Sequence, residues 1–280
     1  GHAPVSDLEI LEIAREHLSS AKLSVHVMPG IATYKKDVEP AVSIGVDVFR
    51  VAAHCTEADT TTRMIAEISK SGLTAVGVLM MAHRLSPSEL AAQAKVMFVA
   101  GASAVMLMDS AGTLTPRGVS ERINAVLQLD LGQAGFHAHN NLGLALWNSV
   151  EAAAAGATIL DSTVLGCGAG AGNCPTELLR ATLQDFGMRS RLNDEVFNSA
   201  KYAKVLGLLP PQTSPLSILT GKYGIFSGFA RQIRHASELN KVGEELICRE
   251  LASYETVAGQ EDLVYEIAER LSRDLPTPKG

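Results

Sequence analysis

The first 187 residues of this 280-residue chain repeat one structural unit. Short runs rich in β-branched and other apolar residues begin 23 to 30 residues apart, with amphipathic helical patterns between them. The runs cover residues 23–28, 46–54, 74–81, 104–110, 134–139 and 158–165. Near-continuous apolar strands that alternate with helices are typical of a parallel sheet covered by helices. The sequence therefore predicts an α/β fold.

The number and spacing of these units favour a closed barrel over an open sheet. An open doubly wound sheet usually carries a Gly-rich phosphate loop after its first strand, and the residues after 23–28 lack one. A (β/α)8 barrel needs eight strands, whereas this sequence supplies six and opens on a helical pattern at Ser6. We therefore predict a TIM (β/α)8 barrel whose first two strands are missing from this sequence. A naturally shortened chain is the alternative.

The pattern changes after residue 187. Apolar residues at spacings of three and four predict helices over 192–206, 238–253 and 260–272. A proline-bearing hinge occupies residues 208–214. The sequence thus predicts two domains, a catalytic barrel domain of residues 1–187 and a helical C-terminal domain of residues 188–280.

Composition excludes several classes of function. The formal net charge of −6 and the 5% aromatic content argue against nucleic acid as a partner. The sequence has neither an apolar run of the ~18 residues that a membrane span needs nor a secretory segment at its start. The four cysteines form neither a CxxC motif nor a zinc spacing. We therefore expect reduced thiols in a cytoplasmic protein that binds neither nucleic acid nor membrane.

Two histidines at the end of the fifth run are the residues that most specifically indicate a chemical function. His137 and His139 are two residues apart on a predicted strand, so both imidazoles should point to one side, into the barrel mouth. Together with one carboxylate they would form a facial metal site with open positions for substrate. A hydrogen-bonded pair of core histidines is the alternative. Asp109 and Ser110 end the fourth run, at the same functional edge of a barrel.

A Gly-rich segment, residues 166–173, ends the sixth unit. Its backbone amides could cradle an anion, although it lacks the Lys-Ser/Thr pair of a phosphate-binding P-loop. A tight strand-to-helix turn that ends at Asn173 explains the same residues equally well. Cys167 and Cys174 flank the segment without an obvious paired base, which argues against a thiol nucleophile.

Six segments in this order resemble a known family. They are VFRVAAHCTEAD (48–59), GVLMMAH (77–83), MDSAG (108–112), GFHAHNNLGLALWNS (135–149), GCGAGAGNCPTE (166–177) and VAGQEDLVYEIAERL (257–271). Together they resemble the 4-hydroxy-2-oxovalerate aldolases, metal-dependent pyruvate aldolases of the barrel superfamily that also holds HMG-CoA lyase-like and isopropylmalate synthase-like enzymes. The resemblance covers essentially the whole chain.

The resemblance implies a class II aldolase that cleaves 4-hydroxy-2-oxopentanoate-type acids to pyruvate and an aldehyde, acetaldehyde or longer, in aromatic or steroid catabolism. It implies that His137 and His139 bind Mn²⁺ or another divalent ion such as Mg²⁺ or Co²⁺. It also implies that Ser110 and His137 contact the substrate. Asn173 is expected to lie beside these ligands and support them.

Three departures from the family pattern concern the site. The family's third metal ligand, an aspartate of an Arg-Asp pair, and its general-base histidine belong to the first strand unit, whereas Gly1 falls near the end of the second. Phe226 stands where the family has a catalytic tyrosine, and Tyr223, three residues earlier, is the candidate to replace it. Residues 26–28 replace an aliphatic stretch that lines the family's pocket, which leaves the substrate size open.

The resemblance also implies a partner. These aldolases typically work with an acylating aldehyde dehydrogenase that receives the aldehyde through a channel. We therefore expect residues 188–280 to dock such a dehydrogenase, with a homodimer inside a heterotetramer. The alternative is that these helices cap the barrel or form a homodimer. Two further functions stay open here, an acyl-CoA Claisen-type synthase or lyase of the same superfamily and a non-catalytic scaffold paralogue.

Overall fold

The computed structural model describes residues 5–188, 195–205, 207–254, 256 and 259–274. The strands of this part are β1 (Ser24–Val27), β2 (Val48–His54), β3 (Thr74–Met80), β4 (Ala104–Asp109), β5 (Gln133–Ala138) and β6 (Ile159–Leu160). The α-helices are α1 (Asp7–His17), α2 (Glu39–Ile44), α3 (Thr62–Lys70), α4 (Pro87–Val99), α5 (Pro116–Leu127), α6 (Ala145–Ala154), α7 (Thr176–Asp185), α8 (Val196–Val205), α9 (Pro215–Lys222), α10 (Ala230–Asn240), α11 (Glu244–Leu251) and α12 (Glu261–Asp274). None of these helices combines the length and the apolarity needed to cross a membrane. The alternation of strands and helices confirms the α/β class.

The strands form one sheet whose order, β1-β2-β3-β4-β5-β6, is the order of the chain. The pairs from β1 to β4 are parallel, with Arg50 of β2 opposite both His26 and Val76. A doubly wound sheet reverses its strand order at a switch point. Over the described residues the sequential order is therefore that of an α/β barrel and not that of a doubly wound sheet.

Glycines end two of the helices that precede strands. Gly45 follows α2 with φ of +96°, and Gly156 follows the last turn of α6 with φ of +105°. These values lie in the left-handed region, which residues with a Cβ rarely adopt. The next strand begins three residues after each glycine, so these turns fix where β2 and β6 start.

The structure corrects the predicted sixth strand. The pattern predicts one strand over 158–165, but β6 has only two residues and a 3₁₀-helix follows at Val164–Gly166. Asp161 still donates its N–H to the Phe136 carbonyl at 3.0 Å, whereas Thr163 donates to the Cys174 carbonyl at 3.0 Å. The chain thus leaves the sheet because its backbone pairs with the segment that follows the Gly-rich turn.

A second correction concerns the predicted helix over 238–253. The structure breaks it into the end of α10 and α11, because Lys241 adopts a left-handed φ of +57°. The Ser237 hydroxyl donates to the Val242 carbonyl at 2.6 Å. Val242 is buried among the apolar side chains of the neighbouring helices. Burial of this valine and the capping by Ser237 therefore account for the break.

The chain divides into two compact units. The first takes Gly1–Leu107 and Arg122–Gly135, and the second takes Met108–Glu121 and Phe136–Gly280. Within the second unit, helices α9 to α12 share a buried apolar core that includes Phe229, Ile233 and Val264. The candidate histidines, Ser110, Asn173, Tyr223 and Phe226 all belong to this second unit, whereas residues 26–28 belong to the first.

Candidate active site

His137, near the end of β5, is held by a carboxylate. Its Nδ1 lies 2.9 Å from Asp161 Oδ2, and the two side chains are only 15% and 17% exposed. Asp161 directly follows β6, and its backbone bond to Phe136 brings it beside β5. An imidazole that donates its Nδ1–H to a carboxylate presents the Nε2 lone pair to a metal or a substrate. His137 therefore has the orientation and tautomer of a metal ligand.

His139 lies beside His137, one residue beyond β5. The two ring centroids are 5.1 Å apart, so both imidazoles lie on one side of the chain. Burial and, to a smaller extent, the nearby His137 lower the pKa of His139 to about 3, and a hydrogen bond with the Ala169 backbone acts in the opposite direction. His139 is therefore neutral at pH 7, which is the form that binds metal ions.

Asn173, at the end of the Gly-rich segment, lies against the backbone of His139. The two residues form an isolated antiparallel bridge, and Asn173 Nδ2 donates to the Cys167 carbonyl at 3.3 Å. Within the described residues, Asn173 Oδ1 and His139 Nδ1 are buried and have no hydrogen-bond partner. A buried polar atom without a partner is costly. These two atoms therefore point to a bound group such as a metal ion.

These residues fit a metal ion as part of its ligand set. Two imidazoles and an amide oxygen suit a divalent ion of the Mn²⁺ type. In the part of the chain that the structure describes, no group of three or more His, Cys, Asp or Glu side chains is arranged to hold a metal ion.

The Gly-rich segment 166–173 is a close-packed turn. Gly172 donates its N–H to the Ala169 carbonyl, and Asn173 donates to the Gly166 carbonyl. A Cβ on Gly172 would collide with the Gly166 carbonyl oxygen and with the ring of Pro211. Two of its backbone N–H groups are therefore already bonded inside the turn and are not free to bind an anion. This favours the tight turn over the anion-binding loop.

Asp109 is the last residue of β4 and Ser110 is the first residue of the loop after it, and both are fully buried. The Asp109 carboxylate accepts hydrogen bonds from the N–H groups of Thr113 and Leu114 at 3.1 and 3.0 Å, so it stabilises its own loop. The Ser110 carbonyl accepts from the N–H of Ser227 at 3.0 Å. The backbone at Ser110 is therefore attached to the turn between α9 and α10.

The two aromatic candidates pack among the C-terminal helices. Tyr223 directly follows α9, and its hydroxyl donates to Glu245 of α11 at 3.3 Å. Phe226 packs edge to face on Phe229, with ring centroids 5.6 Å apart. Neither contact involves the two histidines, so a catalytic role for Tyr223 stays a prediction.

Cys174 adjoins the site without the properties of a nucleophile. Its thiol is buried, and burial raises its pKa to about 11, although a contact with the Ser149 side chain lowers it. At neutral pH almost all of this thiol is protonated, and the thiolate is the reactive form.

Sequence reasoning missed two side chains that hold the site together, Asp161 and Asn141. A carboxylate inside the apolar run 158–165 is the signal that could have identified Asp161. Asn141 belongs to the quoted segment 135–149, but sequence spacing does not reveal its partners, which lie 76 to 86 residues away along the chain.

Family models match both parts of the chain. The HMGL-like family model matches residues 2–202, and the DmpG-like communication domain matches residues 211–273. The 4-hydroxy-2-oxovalerate aldolase of Pectobacterium atrosepticum is 43% identical over 98% of this chain and 80% of its own length. The enzyme of the same name from Burkholderia pseudomallei is 45% identical over 98% of this chain and 79% of its own length.

Solved structures share the fold at low sequence identity. The carboxyl transferase domain from Rhizobium etli pyruvate carboxylase gives a TM-score of 0.82 at 15% identity, covering 99% of this chain and 52% of that chain. The N-terminal domain of a putative aldolase from Bacteroides vulgatus gives 0.66 at 23% identity, covering 82% and 81%. These likenesses establish the fold alone. Because the HMGL-like model matches residues 2–202 and the curated relatives are more than 40% identical over nearly the whole chain, the chain belongs to the 4-hydroxy-2-oxovalerate aldolase family of carbon–carbon lyases.

Proposed function

We propose that this chain catalyses the reversible, metal-dependent cleavage of 4-hydroxy-2-oxo acids to pyruvate and an aldehyde. The observation that carries the proposal is the pair of adjacent imidazoles at the end of β5, His137 and His139, with Asp161 and Asn173 against them. The names of the curated relatives support the reaction and its substrate class. The natural aldehyde is acetaldehyde or a longer homologue, produced in the cytoplasm during breakdown of aromatic or steroid compounds.

His137 and His139 would hold the metal ion, with Asn173 Oδ1 beside it. A divalent ion, Mn²⁺ in our proposal, supplies a Lewis acid that polarises the 2-oxo group of the substrate when bound. The Asp161 carboxylate is the hydrogen-bond partner of His137 Nδ1, so Nε2 is available as a ligand. Ser110, at the end of β4, would position the substrate.

The rest of the ligand set belongs, in this proposal, to two further strand–helix units that complete the sheet beside β1. The described sheet ends at β1 on this side, and the relatives are longer than their match to this chain. These units would carry the aspartate of the Arg-Asp pair and the general-base histidine. The complete coding sequence tests this: an Arg-Asp pair followed by a histidine is expected ahead of Gly1, and a start codon immediately before Gly1 would contradict it.

The residue expected to donate a proton to the enolate differs between this chain and its family. Breaking the C3–C4 bond requires removal of the C4-hydroxyl proton and protonation of the resulting enolate. Phe226 has no proton to give at the position where the family tyrosine is expected. We therefore expect Phe226→Tyr to raise kcat for pyruvate formation, by as much as the roughly 10²- to 10⁴-fold that a positioned acid contributes.

The matched variant for this experiment is Tyr223→Phe. The Tyr223 hydroxyl contacts Glu245 of α11. If Phe226 occupies the position of the family tyrosine, loss of the Tyr223 hydroxyl should leave kcat nearly unchanged. If Tyr223→Phe abolishes turnover while Phe226→Tyr has no effect, then Tyr223 is the acid and the proposed correspondence of Phe226 is wrong.

We further propose that the C-terminal helices dock an acylating aldehyde dehydrogenase, as a homodimer within a heterotetramer. The match to a DmpG-like communication domain over residues 211–273 supports a partner. Leu208, Leu209 and Ile218 are 45%, 80% and 47% exposed, which is typical of an apolar docking surface. The Leu209 carbonyl lies 3.8 Å from Cys167 Sγ, so this surface adjoins the Gly-rich segment.

Disruption of this surface should separate the two enzymes. We expect the unaltered chain to co-elute with its dehydrogenase in size-exclusion chromatography after co-expression. The double variant Leu208→Asp/Leu209→Asp should elute alone, because two buried carboxylates would oppose association. Leu178→Asp, at an exposed leucine of α7, is the matched control and should still co-elute. A lone aldolase peak from the unaltered chain at micromolar concentration with the correct partner would contradict the proposal.

A further inference from the structure

Asn141, two residues beyond His139, is fully buried and uses all of its side-chain polar atoms. Its Nδ2 donates to Thr220 Oγ1 at 2.9 Å and to the Ser217 carbonyl at 3.3 Å, both in α9. Its Oδ1 lies 2.8 Å from the Ser227 hydroxyl. One side chain thus joins the segment after β5 to α9 and to the turn that follows it.

Ser227 extends this network to the loop after β4. Its hydroxyl lies 2.8 Å from both Asn141 Oδ1 and the Ser110 carbonyl, so it shares one proton between two acceptors. Its N–H donates to the same Ser110 carbonyl at 3.0 Å. The network therefore reaches the proposed substrate-binding residue at one end and lies two residues from His139 at the other.

Glycines from three segments let the backbone close around Asn141. A Cβ on Gly112 would lie 2.7 Å from Asn141 N and 2.8 Å from the His139 carbonyl oxygen. A Cβ on Gly221 would lie 3.0 Å from Asn141 Cβ, and one on Gly170 would lie 3.2 Å from the Cβ of Ser227, the hydrogen-bond partner of Asn141. The loop after β4, the Gly-rich segment and α9 therefore pack together here, and a shift of one requires shifts of the others.

We propose that Asn141 is a positioning residue, through which α9 sets the positions of His139 and Ser110. The inference rests on the proposed aldolase function. The amide is suited to this role because it donates to α9 and accepts from Ser227 at the same time. Without it, the metal-binding end of β5 and the substrate-binding loop lose their shared attachment, and small misplacements in a catalytic site have large effects on rate and binding.

The test uses Asn141→Ala and Ser227→Ala in the protein expressed from its complete coding sequence. We expect each variant to weaken Mn²⁺ binding, measured by titration calorimetry, and to raise KM for 4-hydroxy-2-oxopentanoate. For Asn141→Ala both effects should reach roughly 10-fold or more, the lower end of what loss of a ligand-supporting group causes. The double variant should be no worse than Asn141→Ala alone, because the two side chains share one link.

Asn148 supplies the matched control. It is also a fully buried asparagine, and its Nδ2 donates to the Leu114 carbonyl at 2.7 Å, a hydrogen bond that includes none of Asn141, Ser227 and Ser110. Asn148→Ala should lower Tm while leaving the Mn²⁺ affinity and KM at the values of the unaltered protein. The proposal is overturned if Asn141→Ala behaves in the same way, or, where Asn141→Ala does not fold, if Ser227→Ala leaves both values unchanged. Failure of the unaltered protein to bind Mn²⁺ or form pyruvate would instead refute the proposed function.

Discussion

Replacing His137 or His139 with alanine is expected to remove tightly bound Mn²⁺ and to reduce pyruvate formation by about 10³-fold or more. The two imidazoles are the proposed nitrogen ligands of the metal ion, and their ring centroids are 5.1 Å apart, so loss of either one removes half of this part of the proposed ligand set. A Lewis acid contributes several kcal/mol to such a reaction, and each 1.36 kcal/mol is a factor of ten in rate. Metal content after gel filtration and kcat for pyruvate formation measure the two effects.

His235→Ala is the control for these variants. His235 is exposed on α10, where its Nδ1 is 3.1 Å from the Tyr265 hydroxyl. Its replacement should change neither the metal content nor kcat. If both His137→Ala and His139→Ala keep the metal content and kcat of the unaltered protein, then these histidines do not bind the metal ion.

The second large effect is expected at Asp161. Asp161→Asn should weaken Mn²⁺ binding by about 10- to 100-fold, which is the usual cost of losing a carboxylate that orients a metal-binding histidine. Asp161→Ala should weaken it further, because an asparagine oxygen can still accept the Nδ1–H of His137. Titration calorimetry with Mn²⁺ gives the affinities.

A second measurement separates this orienting role from direct metal binding. If Asp161 only orients His137, then saturating Mn²⁺ should restore most of the kcat of Asp161→Asn. An Asp161→Ala variant that binds Mn²⁺ as tightly as the unaltered protein would show that the 2.9 Å contact does not support the site.

The sheet could be predicted because parallel strands are buried on both faces and therefore appear as continuous apolar runs. Each observed strand lies within or beside a predicted run. The predicted length of the sixth strand was wrong for a local reason. The Asp161 N–H bonds to the neighbouring strand, but the Thr163 N–H bonds to the Cys174 carbonyl beyond the Gly-rich turn. Hydrophobicity does not distinguish these two backbone partners.

The site was predictable only where its residues are close in sequence. His137 and His139 could be found because alternate residues of a strand share a side. The contact of His137 with Asp161 joins residues 24 apart and depends on how two strands align. Asn141 and Ser227 are 86 residues apart, and their contact depends on where α9 packs. Such contacts follow from the packing of whole elements, which spacing alone does not specify.

Pyruvate formation from 4-hydroxy-2-oxopentanoate, with and without metal, tests the central claim most directly. The protein is expressed from its complete coding sequence, stripped with a chelator and then supplied with Mn²⁺, and pyruvate is followed through NADH oxidation by lactate dehydrogenase. Metal-dependent aldol cleavage predicts that stripping abolishes pyruvate formation, that Mn²⁺ restores it, and that acetyl-CoA releases no free thiol. Pyruvate formation that survives complete removal of metal would contradict the account, as would a folded, Mn²⁺-loaded protein that forms no pyruvate or that releases CoA from acetyl-CoA.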